Sequence, residues 1–183
     1  MNNKILLVDD ESHVLSSLVR ALFDEPYEIL TAENGESGLE VLGRNPGIKV
    51  IISDERMPGM GGAEFLARVK ETAPQIIRIM LTGHASLEST MKAVNTGEIY
   101  RFFTKPWDDA DLIIALRLAV EKYDLEEENR RLLRTVKRQS QELRDLEGRF
   151  PGISETRKDA SGSYLLPEMS DEEVQKIIAD CCK

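Results

Sequence analysis

The sequence predicts a doubly wound α/β domain, a five-stranded parallel sheet with helices on both faces, followed by a long helix. Five short apolar runs alternate with amphipathic segments through about residue 120, the pattern of repeated strand–helix units. The runs ILLV, VII and IIRIML are almost continuously apolar, as strands covered on both faces require. In addition, Asp9, Asp10, Asp54, Thr82 and Lys105 all fall at the carboxyl ends of predicted strands. Doubly wound folds collect their chemistry at that edge.

In chain order, KILLVDD is the first strand, and ESHVLSSLVRALF places Val14, Leu15, Leu18, Val19 and Leu22 on one helical face. YEILTA is the second strand, followed by a helix over SGLEVLG. VIISDE is the third, and AEFLARVKETA is a helix that must end before Pro74. QIIRIMLT is the fourth, with a helix over SLESTMKAV that stops near Gly97. IYRFFTK is the fifth, after which Pro106 breaks the ladder and Asp108 opens the last helix. No glycine or proline interrupts the chain from Asp108 to Gly148, a span of about 40 residues and roughly 60 Å at helical rise.

Within that span a heptad register emerges at Leu125, Asn129, Leu132, Val136, Gln139, Leu143 and Leu146. Steps of four and three are the signature of a coiled coil, and a homodimer through this helix is the expectation. Asn129 at an a-type position favours a parallel pair, whereas the e and g charges leave an antiparallel one open. The tail begins with Pro151-Gly152, passes through the polar stretch SETRKDASGS and ends in a capped helix over SDEEVQKIIADCC. The expected organisation is therefore a domain over 1–122, a coiled-coil helix over 123–148 and a short tail over 149–183.

Composition narrows the function. The 183 residues carry 24 Lys and Arg against 33 Asp and Glu, a formal charge of −9. Phosphate backbones are bound through clustered Lys and Arg, so no nucleic-acid partner is expected. No apolar run approaches a membrane span, and the opening MNNKILLVDD lacks the pattern of a signal peptide, so a cytoplasmic location without a membrane partner is expected. The two cysteines, Cys181 and Cys182, are adjacent and cannot staple a fold. Two histidines, His13 and His84, are too few for most zinc hydrolases.

The predicted strand edge has a definite chemistry. Three carboxylates brought together repel one another unless something positive sits between them. Asp9, Asp10 and Asp54 form a hard, all-oxygen set with no thiol or imidazole, which favours Mg2+. Lys105 adds a fixed positive charge and Thr82 a hydroxyl. Metal, ammonium and hydroxyl together could neutralise a phosphoryl group in transit, and a carboxylate can itself be the nucleophile. Each residue also has a plainer reading: Asp10 could cap the first helix, Asp54 could be a turn residue, and Trp107 could simply pack at a helix start.

The set VDD at 8–10, SDERMPGMGG at 53–62, LTGHA at 81–85 and FFTKP at 102–106 resembles the receiver domain of two-component response regulators, a flavodoxin-like fold. The resemblance covers roughly residues 4–122 and implies a phosphoacceptor protein, not an enzyme, with a histidine kinase as its partner. It implies that Asp54 is the phosphoacceptor and that Asp10, Asp54 and the backbone carbonyl of Arg56 ligate magnesium, with Asp9 acting through a water. Thr82 would bond the phosphoryl group, Lys105 would pair with it, and Phe102 would be the aromatic switch. The Lys105–Pro106 bond would be cis. Arg56 and His84 stand where the family tunes phosphate lifetime.

Two positions depart from the pattern: Phe102 replaces a tyrosine, so any switching works by packing, and Gly83 replaces an alanine. GEIYRFFTKPWDDADL also resembles receivers that precede HD-GYP phosphodiesterase domains, although too few residues follow for that output domain. The alternatives are a haloacid-dehalogenase-like phosphatase or the receiver part of a longer regulator. The phosphatase class needs a DxD motif after the first strand, whereas this chain has Asp9-Asp10-Glu11 there.

Overall fold

The computed structural model describes residues 3–83 and 99–150, together with 157, 158, 164, 165, 170, 172, 174 and 175 of the tail. Two compact units divide the chain at 131/132. In the first, β1 (Asn3–Val8), α1 (Ser12–Ala21), β2 (Tyr27–Ala32), α2 (Gly35–Arg44), β3 (Ile48–Asp54), α3 (Gly62–Thr72), β4 (Ile77–Thr82) and β5 (Arg101–Thr104) follow one another. The last helix, α4, runs over Asp109–Arg149 without a break. The strands form one sheet in the order β2-β1-β3-β4-β5, and every pairing is parallel. This is the doubly wound fold the alternation predicts. The helix expected over 86–94 lies outside the described residues, as does His84.

Period-two alternation along the buried strands divides the core into two layers. Ile5 and Leu7, Val50 and Ile52, and Ile79 and Leu81 face one way, packing with Leu15 and Leu18 of α1 and Leu112, Leu116 and Ala119 of α4. Leu6, Val8, Ile51 and Met80 face the other way, against Phe65, Leu66 and Val69 of α3. Side chains such as Leu6, Leu7, Ile51 and Ile52 are fully buried. Each stabilises the fold by about 1.5–3 kcal/mol relative to exposure. This two-sided burial is why the strands read as apolar runs.

The helix ends follow from local chemistry. Asn34 caps α2 by accepting from the Ser37 backbone N–H at 2.8 Å, and Ser37 Oγ accepts in return from the Asn34 N–H. Asp108 accepts from the Asp111 N–H at 3.0 Å and opens α4. At α1 the N-cap is Glu11, without a side-chain hydrogen bond, so capping does not explain Asp10. Trp107 is half-buried against the α1/α4 layer and donates to Asp109 Oδ1 at 3.0 Å, which agrees with its packing reading. The Lys105–Pro106 bond is cis, as the resemblance implies.

Two polar clamps fasten α4. Lys49 Nζ donates to Asn3 Oδ1 at 2.8 Å and to Asp124 Oδ1 at 2.5 Å. Arg117 binds both carboxylate oxygens of Glu25 at 3.0 and 2.6 Å, and those hydrogen bonds hold the Glu25 carboxyl below its usual range.

One sequence expectation needs correction. Helical spacing puts Val19 on the core face with Val14, Leu15 and Leu18, but the structure leaves it exposed at the edge of that face. The five proposed residues span more of the helix circumference than the sheet covers. The tail also holds a short antiparallel pair, β6 (Arg157–Lys158) inside the polar stretch with β7 (Tyr164–Leu165) just past it. The predicted terminal helix falls mostly outside the described residues; 172, 174 and 175 within it are helical.

Gly62, the first residue of α3, lies against the end of β3. A Cβ there would come within 1.9 Å of the Asp54 carbonyl oxygen and 3.1 Å of Glu55 Cα. Backbone cannot swing aside as a flexible side chain can. We expect Gly62→Ala to destabilise the fold by about 2 kcal/mol or more. Urea denaturation tests this, and a midpoint within error of the parent would contradict the close approach.

Candidate functional site

Asp54 and Thr82, which end β3 and β4, converge at the carboxyl edge with Asp9 and Lys105, the residues that follow β1 and β5. Val8 pairs with Ser53 across β1 and β3, so Asp9 and Asp54 follow as lateral neighbours. Thr82 ends β4 and lies beside Thr104 of β5. The Lys105 backbone N–H donates to the Thr82 carbonyl at 2.7 Å. Asp9, Asp54 and Thr82 are all buried.

Lys105 joins the two acidic groups. Its Nζ is 2.5 Å from Asp54 Oδ1 and 2.8 Å from Asp9 Oδ2, with Glu11 farther away at 3.8 Å. Asp54 Oδ2 accepts from the Arg56 backbone N–H at 2.8 Å. Asp9 Oδ1 accepts from the Glu11 N–H at 3.0 Å. Each of these two carboxylates is therefore held at both oxygens, one by a backbone amide and one by the shared ammonium.

The electrostatics show a site short of positive charge. Burial pushes the Asp9 carboxyl above its usual range, and the Asp54 charge adds to that rise. Hydrogen bonds from Lys105 and the Glu11 amide only partly oppose it. At Lys105, burial alone would pull the ammonium down, but its bonds to Asp54 and Asp9 outweigh burial and hold it above its usual range. One ammonium between two carboxylates leaves a negative balance, to which exposed Asp10 adds.

That arrangement fits a hard cation. Among the described residues no three metal-ligating side chains form a ready-made cluster. Magnesium, however, keeps most of its water and needs only one or two protein carboxylates. Asp10 offers an exposed carboxylate beside buried Asp9, and every donor available here is oxygen.

Of the other predicted residues, Arg56 is exposed and Phe102 is half-buried, facing the α2/α3 layer from its place beside Met80. One residue was missed. The Thr82 hydroxyl donates to Glu55 Oε2 at 2.5 Å. The signal is positional: Glu55 directly follows Asp54, and because Asp54 pairs with Leu81, Glu55 stands level with Thr82. Sequence reasoning identifies strand ends but not this lateral register.

Removing Lys105 would leave Asp9 and Asp54 facing each other without a counter-ion. We expect Lys105→Met to lower stability by about 1–3 kcal/mol at neutral pH in magnesium-free buffer. Calorimetry checks this; an unchanged or raised melting temperature would show that the ammonium is dispensable to the fold.

Comparison with known proteins agrees with this geometry. The family model "Response regulator receiver domain" matches residues 5–117. The hydrogenase transcriptional regulatory protein HoxA of Cupriavidus necator is 38% identical over 154 residues, covering 80% of this chain and 32% of that protein. The DNA-binding transcriptional regulator NtrC of Escherichia coli is 32% identical over 127 residues, covering 69% of this chain and 26% of NtrC. The chain thus spans about a quarter to a third of the length of these curated relatives. Among solved structures, a signal receiver domain of an HD domain-containing protein from Pseudomonas fluorescens matches with TM-score 0.65 and 38% identity, covering 69% of this chain and 93% of that one. An adenylate cyclase structure from Rhodopirellula baltica matches with TM-score 0.69 and 37% identity, over 73% and 98% respectively. With the sheet order, the strand-edge cluster and the family match in agreement, the chain belongs to the receiver domain family of two-component response regulators.

Proposed function

We propose that this chain acts in the cytoplasm, where Asp54 accepts a phosphoryl group from a histidine kinase and this controls the surface the domain presents to a partner. The observation that carries the reading is the Asp54 carboxylate itself: nearly buried, at a strand end, with one oxygen on Lys105 and the other on the Arg56 amide. A carboxylate oxygen attacks phosphorus, the phosphorus–nitrogen bond of the donor phosphohistidine breaks, and its electron pair leaves on the imidazole nitrogen. Lys105 follows the transferred charge by pairing with a phosphoryl oxygen. The Thr82 hydroxyl donates to another.

Asp10, Asp54 and the Arg56 carbonyl would hold Mg2+, with Asp9 acting through a water. When bound, the ion supplies charge neutralisation for the phosphoryl oxygens. Phe102 reports the change by repacking against the α2/α3 layer, and exposed Arg56 influences how water reaches the phosphoryl group. The role proposed for His84 in phosphate lifetime lies outside the described residues.

Asp54 should gain one phosphate from a small-molecule phosphodonor with magnesium. Intact-mass spectrometry should show a single addition that is absent in Asp54→Asn. A modification that persists in that variant would assign the chemistry elsewhere.

The transcriptional activities named for HoxA and NtrC belong to those proteins, and the receiver-part reading rests on them. Nothing among the described residues has the length and apolarity of a membrane-crossing helix. The proposed homodimer rests on a different observation. Leu125, Leu132, Val136, Leu143 and Leu146 are 64%, 53%, 58%, 64% and 42% exposed, an apolar stripe that water penalises. A second copy of the same helix would cover it in heptad register. Light scattering should find a dimer for the intact chain and a monomer for a version ending near Lys122. Two monomers at tens of micromolar would remove the coiled coil, and two dimers would move the interface onto the receiver.

A further inference from the structure

We propose that Glu55 is a positioning residue: it holds the Thr82 hydroxyl away from Asp54 in the unphosphorylated domain and must release it when the phosphoryl group arrives. This inference rests on the phosphoacceptor reading of Asp54. A threonine hydroxyl has one proton to donate, and here that proton is committed to Glu55 Oε2 at 2.5 Å. An O–H···O⁻ bond of this length belongs to the strong, charge-assisted class. Thr82 is fully buried while Glu55 is partly exposed, so the acceptor, unlike the donor, has solvent to move into.

The backbone on both sides is fixed. The Glu55 N–H donates to the Leu81 carbonyl at 2.8 Å, and its own carbonyl accepts from Gly62 at 3.0 Å. Exchange of partners is therefore a side-chain event. A phosphoryl group on Asp54 brings new anionic oxygens next to the Glu55 carboxylate. Repulsion drives Glu55 outward as the same oxygens offer the hydroxyl a replacement acceptor. The latch opposes phosphorylation by the strength of one hydrogen bond and so lowers the population of the switched state in the resting protein.

The test is the affinity of the intact chain for beryllofluoride with magnesium, across Glu55→Ala, Glu55→Gln and Thr82→Val. Glu55→Ala should bind of order tenfold more tightly, equivalent to about 1.4 kcal/mol. Glu55→Gln removes the charge but keeps an acceptor, and should recover only part of the gain. In a Thr82→Val background the Glu55→Ala gain should vanish. Equal gains for Ala and Gln, or a gain that survives Thr82→Val, would reduce Glu55 to simple charge repulsion and overturn the latch. No gain in Glu55→Ala would overturn it as well.

Binding by the unsubstituted chain, lost in Asp54→Asn, belongs to the phosphoacceptor reading. The latch is separately visible without any ligand: the Thr82 hydroxyl proton should exchange slowly by NMR in the parent and fast in Glu55→Ala. Fast exchange in both would refute it even where the phosphoacceptor reading stands.

Discussion

Two carboxylates at the carboxyl ends of adjacent parallel strands, with one ammonium between them, form the constraint around which this domain is arranged. Parallel pairing of β1 with β3 makes Asp9 and Asp54 neighbours, and burial removes the water that would screen them. Coulomb repulsion at such a separation is tolerable only with a cation close by. Lys105 provides it from beyond β5, on the far side of β4. Its position depends on the whole strand order, because β4 must lie between β3 and β5 for Lys105 to reach both acids while its amide bonds to Thr82. Burial, with the neighbouring Asp54 charge adding to it, keeps Asp9 above its usual range despite Lys105. A fold selected for stability alone would have no reason to retain that arrangement.

The rest of the molecule makes that edge rigid. Alternating strand residues feed two apolar layers, one with α1 and α4 and the other with α3. Met57 and Met60 carry the second layer past the end of β3 into the loop beside the site, and Trp107 does the same for the first layer after β5. The loop between β3 and α3 is drawn against β3, and Gly62 exists to permit it. That closeness brings the Glu55 carbonyl to the Gly62 amide and fixes the backbone on which Asp54, Glu55 and Arg56 present their groups. Side chains can then exchange partners without moving the framework.

The sequence made legible what is repeated or chemically loud. Buried strands announce themselves as ILLV, VII and IIRIML because both faces must be apolar, and Asp54 and Lys105 stand out as charges where such runs end. Asp108 is readable as a cap because its short side chain reaches a nearby amide. Features that depend on lateral register or on the angular width of a face were not legible. Glu55 meets Thr82 only because Asp54 pairs with Leu81, a fact no single segment contains. Val19 fits a helical stripe by spacing but falls beyond the sector that the sheet covers. The β6–β7 pair is two residues long on each side, too short for periodicity to register.

The long helix shows how one element can serve two surfaces. Its buried residues, Leu112, Ala115, Leu116, Ala119 and Val120, follow the 3.6-residue period and end where the sheet ends. The exposed stripe from Leu125 follows steps of four and three, and carried backward that register meets Leu118, which is also exposed. The stripe thus begins on a different side of the helix from the docked face, so covering one does not compete with covering the other. Two clamps, Glu25 with Arg117 and Lys49 with Asp124, tie the docked stretch to the loop after α1 and to the start of the sheet.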